Sequence, residues 1–152
     1  MPLRKGTKAP AFSLPDQDGN RVSLSDFTGK KLAIFFYPKD NTPTCTEQAC
    51  NLRDNITGLK KAGIHVIGVS MDSGKRHKNF EQKYSLPFPL LADVEGSMIK
   101  TYKVWGQKML FGREYMGILR TTYLVNEEGK IAHVIEKVTA KDHARQILDL
   151  WN

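Results

Sequence analysis

Two cysteines are the residues of this sequence whose chemistry is most informative. Cys45 and Cys50 are the only cysteines among the 152 residues, and they follow an apolar segment closely. A thiol reacts as its thiolate, and a free cysteine with a pKa near about 8.5 is mostly protonated at neutral pH. Whether either cysteine is reactive therefore depends on the elements that surround it.

Cys45 lies where a helix is expected to begin. Thr42 can cap the helix with Pro43 in its first position, or Thr44 can be the cap with Glu47 completing a capping box. In both cases Cys45 falls in the first turn, where free N–H groups and the helix dipole stabilise an anion. The sequence therefore predicts a lowered pKa for the Cys45 thiol. The alternative is a buried, inert cysteine.

The spacing of the two cysteines restricts how they can react with each other. On a regular helix, residues five apart have Cα atoms separated by about 8.7 Å, whereas a disulfide requires less than about 7 Å. A Cys45–Cys50 disulfide would therefore require the start of the helix to unwind. The spacing also differs from the Cys-x-x-Cys of dithiol oxidoreductases. The alternative for Cys50 is a small residue on the flank of the helix.

Three other residues are candidates for a site around Cys45. Pro38 has no N–H to donate, so it can end the preceding strand and shape the loop. The hydroxyl of Thr42 can contact a thiolate or a peroxide, or it can serve as a helix cap alone. Arg120 precedes a later strand, and its permanent charge near Cys45 would lower the thiol pKa and polarise an O–O bond. Spacing alone favours the other interpretation of Arg120, a surface arginine at a strand end.

The hydrophobic pattern predicts the elements that position these residues. The predicted strands are a hairpin within 12–24 and then 32–37, 64–70, 89–92, 120–126 and 130–136. The predicted helices are 43–61, 73–84, 93–102 (with Asp93 as its cap) and 140–151. Strands first alternate with helices and an antiparallel pair then closes the series, which indicates a mixed sheet covered by helices on both faces.

Composition excludes several classes of protein. The hydrophobic fraction of 40% and charged fraction of 26% are typical of one ordered globular domain, here 1–152. The net charge of +7 is spread along the chain, and its densest cluster, 75–78, is expected on a solvated helix surface, which argues against a nucleic-acid partner. The four histidines share no ligand spacing, so no metal site is expected.

Targeting signals are likewise not evident. No apolar run approaches the roughly 20 residues that cross a bilayer. The charged N-terminus has no apolar segment behind it, so it does not read as a secretion signal, and a cytoplasmic location is expected.

The residues around Cys45 resemble a known active-site motif. The pattern Pro38-x3-Thr42-x2-Cys45 is similar to the motif of the peroxiredoxins. The resemblance covers nearly the whole chain, including residues 12–19, 48–54 and 104–106. The four-residue gap before Cys50 is similar to the bacterioferritin-comigratory-protein, or peroxiredoxin Q, subgroup. One departure is Thr44, where members of the subgroup usually carry glycine.

The resemblance implies a fold and an activity. The implied fold is thioredoxin-like α/β, a mixed central sheet flanked by helices, with an N-terminal β-hairpin extension. Cys45 would be the peroxidatic cysteine and Cys50 the resolving one, with Pro38, Thr42 and Arg120 forming the peroxide pocket. The implied enzyme is a monomeric peroxidase for hydrogen peroxide and organic hydroperoxides. It passes through a Cys45 sulfenic acid and a Cys45–Cys50 disulfide, is recycled by thioredoxin or a similar dithiol protein, and needs no metal, haem or flavin.

Three other functions compete with this interpretation. A dithiol oxidoreductase would reduce insulin disulfides without consuming peroxide. A redox sensor would use the cysteine pair as a conformational switch and would not turn over. A structural domain with incidental cysteines would show a Cys45 with the labelling profile of an ordinary thiol.

Overall fold

Nine strands and five helices, numbered in chain order, form the computed structural model, which describes residues 2–151. The strands are β1 Ser13–Pro15, β2 Arg21–Ser23, β3 Lys31–Phe36, β4 Ile64–Ser70, β5 Leu90–Ala92, β6 Trp105–Leu110, β7 Arg113–Ile118, β8 Thr121–Val125 and β9 Ile131–Ile135. The helices are α1 Pro43–Asp54, α2 Ile56–Lys61, α3 Gly74–Tyr84, α4 Ser97–Thr101 and α5 His143–Trp151. Met1 belongs to the N-terminal segment from which a secretion signal was judged absent, and it lies outside the described residues.

The central sheet has five strands in the order β5-β4-β3-β8-β9. Strands β3, β4 and β5 are parallel, whereas β8 pairs antiparallel with both β3 and β9. The segment 32–36 of β3 is buried throughout, as expected for a central strand with both faces covered. The mixed sheet predicted from the order of elements is therefore confirmed.

Both faces of the sheet carry a hydrophobic core. Side chains from α1, α2, α3 and α5 cover one face, and side chains from α4 and the N-terminal hairpin of β1 and β2 cover the other. The helix-borne core residues on the first face are Cys45, Ala49, Leu52, Leu59, Phe80, Ala144 and Ile147. None of the helices within residues 2–151 has the length and apolar character needed to span a membrane.

The helix predicted over 43–61 is in fact two helices, and that prediction is wrong at Asn55. The backbone of Asn55 leaves the helical region, with φ −110° and ψ 12°. Its side-chain amide donates to the carbonyl of Asn51 at 2.8 Å, in competition with the helical backbone. As a result α1, which carries both cysteines, ends at Asp54.

The helix predicted over 93–102 is also shorter than expected. Gly96, with φ 77°, is the N-cap, so α4 begins only at Ser97. Asp93 still supplies the capping acceptor, because its carboxylate accepts the N–H of Ile99 at 2.8 Å from outside the helix.

The hairpin of β6 and β7 was not predicted at all. Its two-residue turn, Phe111 and Gly112, has φ values of 50° and 77°, the positive values of a type I′ turn. Phenylalanine is an unusual residue at the first of these positions, so the usual Asn-Gly signal is missing. Phe111 is 96% exposed at the tip.

Close packing between β3 and β4 gives a test of the core. A Cβ added at Gly68 would lie 2.7 Å from the ring of Phe35. Gly68→Ala is therefore expected to lower the free energy of unfolding by about 1–3 kcal/mol, measured by urea denaturation. Gly58→Ala is the matched control, because Gly58 lies in α2 with open space around it and alanine should stabilise by about 0.5–1 kcal/mol. Equal effects of the two changes would contradict this account.

Candidate active site

Strand pairing brings Arg120 to the residues that follow β3. Because β8 runs antiparallel to β3, Thr121 at the start of β8 pairs with Phe36 at the end of β3. Arg120 therefore lies at the sheet edge from which Pro38 and the first turn of α1 extend. The edge at the carboxyl end of parallel strands is where ligands bind in open α/β sheets.

The central contact of the candidate site joins Cys45 and Arg120. The Nη2 of Arg120 donates to the Cys45 Sγ at 3.3 Å, across 75 residues of sequence. Cys45 is only 1% exposed, so burial without a charge partner would make it inert. The adjacent guanidinium of Arg120 supplies a permanent positive charge in contact with the sulfur. The two residues that the sequence placed far apart are thus brought together.

The start of α1 follows the first of the two capping alternatives. Thr42 is the N-cap, with Pro43 in the first helical position, and Cys45 is the third residue of the helix. The Thr42 hydroxyl does not cap the helix; it donates to the carbonyl of Lys39 at 2.8 Å. The first N–H groups of the helix lack an intrahelical acceptor and are available to an anion.

Cys50 lies on the same helix as a free, partly buried thiol. Burial raises the pKa of Cys50; the nearby Arg53 opposes this rise and Asp54 adds to it. Cys50 is thus held as a protonated, weakly nucleophilic thiol while α1 is intact. Both cysteines are within the continuous helix Pro43–Asp54, where their Cα atoms are too far apart to bond.

Gln48 is a site residue to which the sequence interpretation gave no role. Its Oε1 accepts from the Nη1 of Arg120 at 2.7 Å, so one side chain fixes the guanidinium that faces Cys45. Its position three residues after Cys45, on the same helix face, is the signal that could have identified it.

Lys108, from the unpredicted hairpin, adds a second positive charge. Its Nζ donates to the carbonyl of Ile118 at 2.9 Å, close to Arg120 in the chain. Burial lowers the pKa of Lys108, Arg120 lowers it further, and Cys45 partly offsets both. No local pattern indicated this residue, because its role depends on where the hairpin folds back.

The basic cluster predicted on a helix surface is partly wrong. His77 of α3 is fully buried, because it turns inward to a carboxylate in the loop before α1. Its ring and the carboxylates of Asp40 and Asp72 have possible ligand atoms within 4.8 Å of one another. Each of these groups already has hydrogen-bond partners, which fits a structural network better than a metal site.

Comparison with known proteins identifies the class of this site. A thioredoxin-like sheet that places a buried cysteine at a helix start beside an arginine defines a peroxiredoxin, and the model of the AhpC/TSA family matches residues 5–134. The chain therefore belongs to the AhpC/TSA family and is a thiol-dependent peroxidase. Escherichia coli peroxiredoxin Bcp is 45% identical over 148 residues, which are 97% of this chain and 95% of that protein.

Solved structures agree with this assignment. The bacterioferritin comigratory protein of Xanthomonas campestris, studied for alkyl peroxide reduction, has a TM-score of 0.89 and 32% identity, covering 97% of both chains. Peroxidoxin BcpB of Mycobacterium tuberculosis has a TM-score of 0.86 and 28% identity, covering 98% of this chain and 96% of that one. The predicted fold class and family are confirmed.

Replacing Gln48 should separate activity from stability. Within residues 2–151 its Nε2 is a buried donor without a partner, so Gln48→Leu removes an unsatisfied group as well as the bond to Arg120. We expect the rate constant for peroxide attack to fall about tenfold, because Arg120 loses its orientation. The free energy of unfolding should change by less than about 1 kcal/mol. Stopped-flow oxidation and urea denaturation measure the two quantities; a fall in stability without a fall in rate would contradict this role.

Proposed function

We propose that Cys45 is the peroxidatic cysteine of this peroxidase and that Cys50 resolves it. The observation that carries the proposal is the 3.3 Å contact from Arg120 to the Cys45 sulfur. This contact places a positive charge and hydrogen-bond donors beside the sulfur, where they can stabilise the negative charge that passes to oxygen in the transition state. Pro38 and Thr42 belong to the loop that shapes this pocket.

In the first step the Cys45 thiolate attacks the terminal oxygen of a hydroperoxide. An S–O bond forms as the O–O bond breaks, and the displaced alkoxide or hydroxide takes up a proton and leaves as alcohol or water. Cys45 becomes a sulfenic acid, oxidised by two electrons. Arg120 and the free N–H groups of the first turn stabilise the negative charge during transfer.

In the second step the Cys50 thiol attacks the sulfenic sulfur. A disulfide forms and the hydroxyl leaves with a proton as water. The start of α1 must unwind first, because an intact helix holds the two Cα atoms about 8.7 Å apart. A dithiol protein such as thioredoxin then reduces the disulfide by thiol exchange and becomes a disulfide itself.

The defining experiment is peroxide consumption by the whole protein with thioredoxin, thioredoxin reductase and NADPH. We expect repeated turnover with hydrogen peroxide and with an organic hydroperoxide. One oxidation event per molecule without further turnover would favour the redox sensor, and insulin reduction without peroxide consumption would favour the dithiol oxidoreductase. Failure of Cys45 to react with peroxide at all would refute the proposal.

The finer properties of the protein stay predictions with their own measurements. A monomer without nucleic-acid affinity is expected in sedimentation and in filter binding, and a cytoplasmic location in fractionation. If the protein did self-associate, the tip of the β6–β7 hairpin would be the surface involved, because several large apolar side chains are exposed there. These are Met109, Leu110, Phe111, Tyr115 and Met116.

A further inference from the structure

A buried carboxylate anchors the loop that leads into α1. Asp40 is 1% exposed, although it lies in a connection between a strand and a helix. Its Oδ1 accepts the Tyr37 hydroxyl at 2.6 Å, and its Oδ2 lies 2.6 Å from the Nδ1 of His77. Its backbone N–H donates to the carboxylate of Asp72 at 2.7 Å. Side chain and backbone of one loop residue are thus both tied to the interior.

The positions of the protons in this network follow from its geometry. The Nε2 of His77 lies 2.9 Å from the Leu91 carbonyl, which can only accept, so Nε2 carries a proton. A second proton must lie between Nδ1 and the Asp40 carboxylate, because two bare acceptors would not approach to 2.6 Å. Burial, with the nearby Asp40 charge, raises the pKa of Tyr37 well above its ordinary value, so Tyr37 stays a neutral donor.

This anchor bears on the active site through two neighbouring residues. Asn41, which follows Asp40, has a φ of 62°, a left-handed conformation that needs its surroundings to hold it. Thr42 is the N-cap of α1 and donates to the Lys39 carbonyl, on the other side of Asp40. The position of the helix start therefore depends on where Asp40 is held.

We propose that Asp40, clamped by Tyr37 and His77, is a positioning residue that keeps the active-site pocket folded and opposes the unwinding of α1. This inference rests on the proposed function, in which Cys45 reacts in the folded helix and Cys50 reacts after unwinding. The contacts of Asp40 are made only while the helix start is folded. Removing them destabilises the folded helix start relative to the unwound one, whose loop has more conformational entropy, so the unwound population grows.

The two chemical steps then respond in opposite directions. Disulfide formation proceeds from the unwound state, so its rate rises with that population. Attack on peroxide needs the folded pocket, so its rate falls as the loop loses definition. A residue with a merely structural role would lower stability without separating the two rates in this way.

Tyr37→Phe is the primary test, because it removes one hydroxyl and leaves the ring packing intact. We expect the first-order rate of disulfide formation to rise about three- to tenfold, the effect of losing one typical intramolecular hydrogen bond. We expect the second-order rate of attack to fall about two- to fivefold. Both are measured in one turnover without reductant: sulfenic acid by dimedone trapping, and disulfide by loss of both thiols in mass spectrometry.

Tyr102→Phe is the matched control. Tyr102 is also fully buried, and its hydroxyl donates at 2.6 Å to the Pro10 carbonyl, away from the loop. It should lose comparable stability in urea while leaving both rates at the wild-type values.

Two variants of His77 extend the test. His77→Leu should reproduce the opposed changes more strongly, and His77→Gln should recover part of the wild-type behaviour, because its amide can donate to the Asp40 carboxylate. Unchanged rates in Tyr37→Phe, or rates that fall together as in a general loss of stability, would overturn the clamp. A wild-type protein that forms no sulfenic acid would instead refute the proposed function, so the two failures are distinguishable.

Discussion

Replacing Cys45 with serine is expected to abolish peroxide reduction, whereas Cys50→Ser should complete one turnover and then stall. A serine hydroxyl is not ionised beside Arg120, so no nucleophile remains, and the rate should fall by about four orders of magnitude or more. Cys50→Ser keeps the nucleophile and the Arg120 contact at 3.3 Å but cannot form the disulfide. When peroxide is not in excess, each molecule should therefore consume one peroxide.

The measurement is peroxide consumed per protein molecule with the thioredoxin system present. Both changes replace sulfur by oxygen in a helix that is otherwise untouched, and urea unfolding checks that each variant folds. After its single turnover, Cys50→Ser should carry Cys45 as sulfenic acid, and excess peroxide should convert it to sulfinic acid. Steady turnover of Cys50→Ser at the wild-type rate would remove Cys50 from the mechanism.

The wild-type protein should share some of this sensitivity to excess peroxide. Burial raises the pKa of the Cys50 thiol, and the helix keeps it away from Cys45, so resolution waits for unwinding. During that wait the sulfenic acid is exposed to a second peroxide. The same feature that keeps the pocket intact for the first step therefore slows the second.

Arg120→Met is expected to reduce the rate of peroxide attack about 10²- to 10³-fold. The guanidinium donates directly to the Cys45 sulfur, and loss of one such donor at a developing charge has an effect of about this size. The rate of attack in Arg120→Lys should lie between those of Arg120→Met and wild type. Lysine restores the charge but lacks the forked donors that reach both Cys45 and Gln48.

Arg113→Met is the matched control for the arginine. Arg113 lies on the exposed part of the β6–β7 hairpin, so its loss removes a positive charge without removing a contact to Cys45. Second-order rate constants from stopped-flow oxidation, compared at one ionic strength, distinguish the two positions. Equal rates in Arg120→Met and Arg113→Met would mean that only the overall charge matters, against a specific role for Arg120.

Local patterns indicated where the helix that carries the cysteines begins, but neither which of two residues caps it nor where it ends. The apolar segment that became β3, the Thr42-Pro43 cap and the first-turn position of Cys45 each depend on residues within one or two turns of chain. The thiol spacing alone indicated that a disulfide needs unwinding. The hairpins of β1–β2 and β8–β9 also have local turn signals, a glycine within the polar segments 16–20 and 127–129.

Predictions failed where a distant or side-chain contact decided the outcome. His77 was expected on a surface because its neighbours are basic, but the Asp40 carboxylate draws its ring into the interior. The helix was expected to continue through Asn55, but its side chain competes for a backbone carbonyl. The turn at Phe111 lacked the residue type that usually signals it.

By itself the sequence determined that one thiol lies at a helix start, that a second thiol is out of its reach while the helix is intact, and that the alternating elements form a mixed sheet. Only the tertiary structure decided that Arg120 faces Cys45, since spacing alone favoured a surface arginine. The physical reason is register: Phe36 pairs with Thr121 in the antiparallel ladder, and this pairing carries Arg120 across 75 residues to the sulfur. A slip of one residue would turn every side chain of the slipped strand to the opposite face and separate the two groups.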